Sequence, residues 1–250
     1  MKYLNLIIIV LLFISCDQEN KKEELTAEKI VERAIDTAGG QNYEYAEIDF
    51  VFRDRNYKSF REGGKYRLER IQQDSTGKMI HDILSNEGLQ RKVNDSTVQV
   101  ADSLVTPISN GVNSVHYFVQ LPYGLNAPAA NKKLIGKDSI AGKEYYEVKV
   151  TFNAEGGGTD HEDEYLYWID TKHYTVDYLA YNYEVNGGGI RFRKAYNERK
   201  IEGLRFVDYK NYKYAELGTP LKKLDSLYEE GELELLSTIE NKDIKVNISK

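Results

Sequence analysis

Along this chain, short runs of alternating apolar and polar residues outnumber runs with helical spacing. Ile48, Phe50 and Phe52 alternate with Glu47, Asp49 and Val51, the signature of a half-buried strand. Further strands are predicted at 65–71, 79–84, 89–93 and 97–100, separated by turn signals at Gly63-Gly64, Asn86-Glu87-Gly88 and Asn94-Asp95. Two segments break the pattern. Thr26 stands as an N-cap before Ile30, Val31, Ala34, Ile35 and Ala38, which share one helix face that Gly39-Gly40 ends. Val112, Val115, Phe118, Val119 and Leu121 predict a second helix within 107–121, stopping before Pro122. After a loop at 126–131 comes a long antiparallel meander: 132–140, a strand with Tyr146, Val148, Val150 and Phe152 on one face, then 164–169, 175–185, 190–196 and 204–212. A short helix at 220–229 and a kinked last strand at 232–246 complete the order. No internal repeat is visible, so the expected class is α+β: a strongly curved antiparallel sheet with one or two helices packed across it.

The N-terminus carries a different pattern. Lys2 precedes nine apolar residues, Leu6 to Ile14, which have the grammar of a secretory signal and are too few to span a bilayer. Cys16 follows at once and is the only cysteine in the chain. The stretch Phe13-Ile14-Ser15-Cys16 resembles the lipobox of bacterial lipoproteins. That resemblance implies cleavage before Cys16 and lipidation of its sulfur, giving a signal peptide at 1–15, a lipidated cysteine with an acidic tether at 16–25, and a β-rich domain at 26–250. The tether, Asp17 to Glu24, contains no apolar residue and reads as a solvated spacer.

Charge and composition narrow the functional classes. Removing residues 1–15 takes one lysine from the 34 Lys and Arg and none from the 40 Asp and Glu, so the net charge moves from −6 to −7. That balance argues against binding nucleic acid, which needs clustered positive charge. With Cys16 acylated no thiol is left for disulfides or for cysteine catalysis. Of the 20 tyrosines, 12 fall between Lys143 and Tyr214, marking that segment as β-rich and suited to cavity walls or interfaces.

The order helix, strands, helix, meander, combined with the lipobox, is similar to the LolA/LolB-like lipoprotein-sorting carriers. This resemblance implies a half-open β-barrel closed by helices over an apolar cavity. The phrases KEYYEVKVTF, DEYLYWIDTKHYTVDYLAY and GIRFRKAYN resemble an uncharacterised family of bacterial lipoproteins and imply no activity.

Candidate chemistry concentrates at two glycine-rich turns. Glu155 to Glu164 joins three glycines to five acidic groups and His161, and its oxygen donors suit a hard cation, with Asp160 and Glu162 as candidate ligands. The spacing matches neither an EF-hand nor a helical zinc motif, and a wide solvated hairpin loop explains the same residues. Asn186-Gly187-Gly188-Gly189 is a hairpin turn. One turn intervenes between the two, so both are expected on the same rim of the meander, with Asp160, His161, Arg191 and Arg193 near a cavity mouth. Tyr167, Trp168 and Tyr178 are further candidates for stacking on a ligand, although a core aromatic cluster is the more economical account of them. The glycines join strand to strand, which excludes a nucleotide-binding loop. His81, His116 and His173 share no ligand spacing, and no catalytic serine motif is present.

Three functions follow as expectations. The first is a non-enzymatic, lipid-anchored envelope protein, attached to the membrane through Cys16, that binds a lipid or lipidated peptide without a cofactor. The acidic tether and the LolA-like resemblance favour the outer membrane, with the periplasmic and surface faces both open. The second is an interaction or envelope-sensing module that binds an envelope protein through a tyrosine-rich face. The third is a metal-assisted hydrolase using the 160–164 loop.

Overall fold

The computed structural model describes residues 25–153, 155, 163–184 and 187–249. Cys16, Asp160, His161 and Glu162 therefore lie outside the described residues.

Helix α1 (Ala27–Ala38) begins where predicted: the Thr26 hydroxyl accepts a hydrogen bond from the Lys29 amide, and Ile30, Val31 and Ala34 are buried. Its stop is set by Gly39, at φ +137°, where a Cβ would lie 2.5 Å from Leu204 Cδ2. Both the backbone conformation and the close approach require glycine. A 3-10 turn at Gly40–Tyr45 leads into the first sheet.

The first sheet contains β1 (Ala46–Phe52), β2 (Arg55–Glu62), β3 (Lys65–Gln73), β4 (Met79–Ser85), β5 (Gly88–Val93) and β6 (Ser96–Val98) as consecutive hairpins. Helix α2 (Asp102–Val119) then lies against β3 and β4. The second sheet is formed by β7 (Ala130–Ile140), β8 (Lys143–Phe152), β9 (Tyr165–Asp170), β10 (Val176–Tyr183), β11 (Gly189–Ile201) and β12 (Leu204–Tyr214), again each paired to the next. A 3-10 turn, Leu221–Lys223, and α3 (Leu224–Glu229) precede β13 (Glu234–Ile239), which pairs with β12, and β14 (Lys242–Ile248), which pairs with β1.

The antiparallel α+β class is as expected, with two seven-stranded sheets and an open edge. The kinked last strand is in fact two strands, one in each sheet. The corner between them is pinned by Asn241: its amide donates to Asp208 Oδ1 at 3.0 Å, its side chain donates to the Val207 carbonyl, and its own carbonyl accepts from Arg199. The corner joins the sheets on one side, while β6 and β7 are edge strands linked through α2. Strand β2 was not foreseen. Its sequence, RNYKSFRE, buries only Tyr57 and Ser59 and so lacks an apolar alternation.

Three cores follow from this layout. Val148, Val150, Tyr167, Ile169 and Leu179 of the second sheet pack against α1. Ile48, Phe50 and Tyr57 of the first sheet meet Val119 of α2 and Leu204 and Phe206 of β12. On the other face of the second sheet, Trp168, Tyr178 and Phe192 lie beneath Leu221 and Leu224. Beside that third core sits Glu147, whose pKa is raised to about 7 by burial and by the charges of Asp225 and Asp138.

Candidate functional site

Helix α2 is the element around which the site is built. One side rests on the first sheet. His116 bonds through Nε2 to the Glu69 carbonyl at 3.1 Å, and the Gln120 amide donates to the Ser59 hydroxyl at 3.0 Å. A Cβ on Gly111 would lie 3.0 Å from an Arg70 guanidinium nitrogen. Arg70 in turn shares Asp82 with Arg91, through bonds of 2.8 Å and 2.6 Å. Burial alone would raise the Asp82 pKa, but the hydrogen bonds from the two arginines carry it below the ordinary carboxylate range. The helix thus sits on a buried arginine–aspartate–arginine bridge.

The other side of α2 meets the second sheet. Tyr117 and Tyr167 share a hydroxyl–hydroxyl bond of 2.7 Å, and burial pushes both phenols well above their usual pKa, so both stay neutral. Phe118 packs on Tyr181, with ring centres 5.5 Å apart, and under the guanidinium of Arg193.

Two cavities flank the helix, and Ser114, Phe118 and Tyr165 line both. The larger, about 870 Å³, runs between α1, β2, β3 and α2. Polar groups are prominent in its wall: Glu32, Asp36, Gln41, Glu44, Arg61 and Asn110. The smaller, about 420 Å³, lies between the sheets, with Phe52, Val115, Phe118, Tyr165, Tyr181, Tyr183, Tyr209 and Ile239 around it. Arg191 and Arg193 enter that cavity from β11. Arg193, only 8% exposed, donates to the Tyr181 hydroxyl at 2.8 Å, and Arg191 lies over the Tyr183 ring and donates to its hydroxyl. The result is an aromatic chamber with two guanidinium groups in its wall.

The structure separates the sequence candidates. Strand order puts the end of β8, the start of β9, the end of β10 and the start of β11 on one edge of the second sheet, where the Glu164 amide donates to Asn182 Oδ1 at 2.9 Å. Arg191 and Arg193 line the smaller cavity beside that edge, together with Asp163, which directly follows the undescribed acidic residues. Tyr167 is in the core under α2. Trp168 and Tyr178 are on the opposite face of the sheet, beneath α3, and line neither cavity. Sequence reasoning missed Arg61, Tyr165, Tyr181, Tyr183 and Tyr209 as lining residues. Only the tyrosine excess of the meander hinted at most of them. His81 bonds Glu69 Oε2 on the first sheet and His173 lies by Asp170 in a turn, apart from both cavities.

The family model of DUF6503, a family of unknown function, matches residues 2–241. The chain belongs to that family. No curated protein matches it in sequence. Among solved structures it is similar to a LolA superfamily protein from Nitrosomonas europaea, at 12% identity over 91% of this chain and 96% of that one, with a TM-score of 0.48. A DUF1329 family protein from Desulfovibrio piger gives 12% identity, 88% and 91% coverage and a TM-score of 0.47. An outer membrane lipoprotein-sorting protein domain from Vibrio parahaemolyticus gives 9%, 90%, 92% and 0.42. None of these likenesses lends this DUF6503 chain a ligand or an activity. No helix among its described residues is long and apolar enough to cross a membrane.

Proposed function

We propose that this protein is a lipid-anchored, non-enzymatic component of the cell envelope that holds an apolar or lipidated ligand between its two sheets. The observation that carries the proposal is the lining of the 420 Å³ cavity, where aromatic rings from both sheets and α2 surround a space in the range of small-molecule sites. A hydrocarbon chain gains by leaving water for such a wall. Arg191 and Arg193, at its edge, give the ligand's polar end a cationic partner, so an acyl chain ending in a carboxylate, phosphate or acylated peptide fits the chemistry. The anchor is Cys16, and the outer membrane is the favoured location.

The protein-docking alternative calls for a tyrosine-rich exposed face. Tyr145, Tyr146, Tyr167, Tyr178 and Tyr209 are all buried, so these five contribute to no such face.

The test is a titration of the purified protein with a fluorescent fatty acid, in parallel with Val115→Trp, a substitution that fills the cavity from α2. Saturable binding by the wild type, lost in the variant, supports the reading. No saturable binding, or equal binding by both proteins, would overturn it.

A further inference from the structure

On the face of the second sheet away from both cavities, three carboxylates from three elements converge. Asp138 comes from β7, Glu147 from β8 and Asp225 from α3, and one oxygen of each lies within 4.8 Å of the others. Long-range packing creates this group: Glu147 is the register neighbour of Gly136 on one side and of Trp168 on the other, and α3 closes over them. Gly136 keeps the space open, since a Cβ there would lie 3.2 Å from Glu147 Oε2.

Two of the three groups are already engaged. Asp225 accepts from the Trp168 indole at 3.2 Å and from the Ser226 amide at 2.7 Å, and Asp138 accepts from the Ser139 amide at 2.7 Å. Glu147 differs. It is 7% exposed, and its Oε1 is buried with no hydrogen-bond partner. Lys222, just before α3, is the cation whose charge reaches it. A nine-tenths buried carboxylate oxygen left bare among two other carboxylates is costly unless something positive binds there.

We propose that Asp138, Glu147 and Asp225 bind a hard divalent cation of calcium's class. All three donors are carboxylate oxygens, with no His or Cys among them, which suits calcium better than zinc. Oxygens 2.3–2.6 Å from one calcium ion can be no more than about 5 Å apart, a limit this trio satisfies. The remaining positions would be filled by water at the exposed Asp138 side. Bound there, the ion ties α3 to β7 and β8, so its role is to fasten the helix that covers the third core. This site is independent of the cavity reading.

Terbium luminescence provides the test, because Trp168 is the only tryptophan in the chain and its indole touches a ligand residue. Tb³⁺ added to the full-length protein and excited through tryptophan should give sensitised emission that excess Ca²⁺ abolishes. Glu147→Gln and, separately, Asp138→Asn should weaken binding on the order of tenfold or more. Asp138 is exposed, so its variant reports on the site even where the buried substitution alters folding. The double change Asp160→Asn with Glu162→Gln, in the acidic loop, should leave the emission unchanged. Absence of sensitised emission in the wild type, or emission that survives both site variants, would overturn the proposal.

Discussion

The guanidinium carbon of Arg193 lies 3.9 Å from the centre of the Phe118 ring. This contact joins β11 to α2 across the mouth of the aromatic cavity, and a buried pair of this kind contributes about 2 kcal/mol. Arg193→Met keeps the side-chain volume and removes the charge. The expected outcome is faster amide hydrogen exchange along 112–119 of α2, with β8 and β9 unchanged. Equal exchange in both proteins would show that the helix is held without this contact.

His116 makes the fold sensitive to acid. The ring lies edge-on to Phe50 and Tyr57, bonds the Glu69 carbonyl, feels the charge of Arg61, and leaves Nδ1 buried without a partner. Burial lowers its pKa from 6.5 to about 4. Between these values the unfolded chain binds more protons, so stability is lost as the pH falls through that window. The full span amounts to about 3 kcal/mol. His116→Gln keeps a donor for the Glu69 carbonyl, and urea unfolding at several pH values should show a flatter dependence between pH 6.5 and 4. The same slope in both proteins would contradict the assignment.

Removing Asp82 leaves Arg70 and Arg91 facing each other under α2. Asp82 is fully buried, so Asp82→Ala is expected to cost about 3–5 kcal/mol in urea unfolding. A loss below about 1 kcal/mol would mean that the two guanidinium groups find water or other partners.

The anchor has its own test. Cys16→Ser should move the protein from the membrane to the soluble fraction and abolish incorporation of labelled fatty acid. Continued membrane association without label would refute lipidation at that residue.

Much of the fold was legible because local patterns agreed with long-range packing. Helix α1 carried its cap, its apolar stripe and its stop, and the strands of the meander from β7 to β12 were marked off by clear turn signals. Elsewhere the cause lay in contacts distant along the chain. Pro107 read as a helix start, yet α2 begins at Asp102. Proline lacks the amide that would bond back to Ser103, and the surrounding turn is largely solvent-exposed, so the loss is tolerated there. The switch between β13 and β14 has neither glycine nor proline at its corner, since Asp208 and Arg199 define it. The site was legible only in part. Counting turns singles out Arg191 and Arg193 as rim candidates, and they do line the smaller cavity, but Phe118 and Tyr209 become neighbours only when α2 docks between the sheets. Trp168 sits as the core-cluster reading has it: its ring packs beneath α3, one face of the sheet away from the cavity.

Native mass spectrometry of the protein, extracted from its own membrane without denaturant, tests the central claim most directly. A binding protein for apolar ligands should carry a bound species with the mass of a lipid or acylated peptide. That species should be absent from Val115→Trp purified in the same way. A wild-type protein that flies at its bare, anchor-modified mass, or a species retained equally by the filled-cavity variant, would contradict the account.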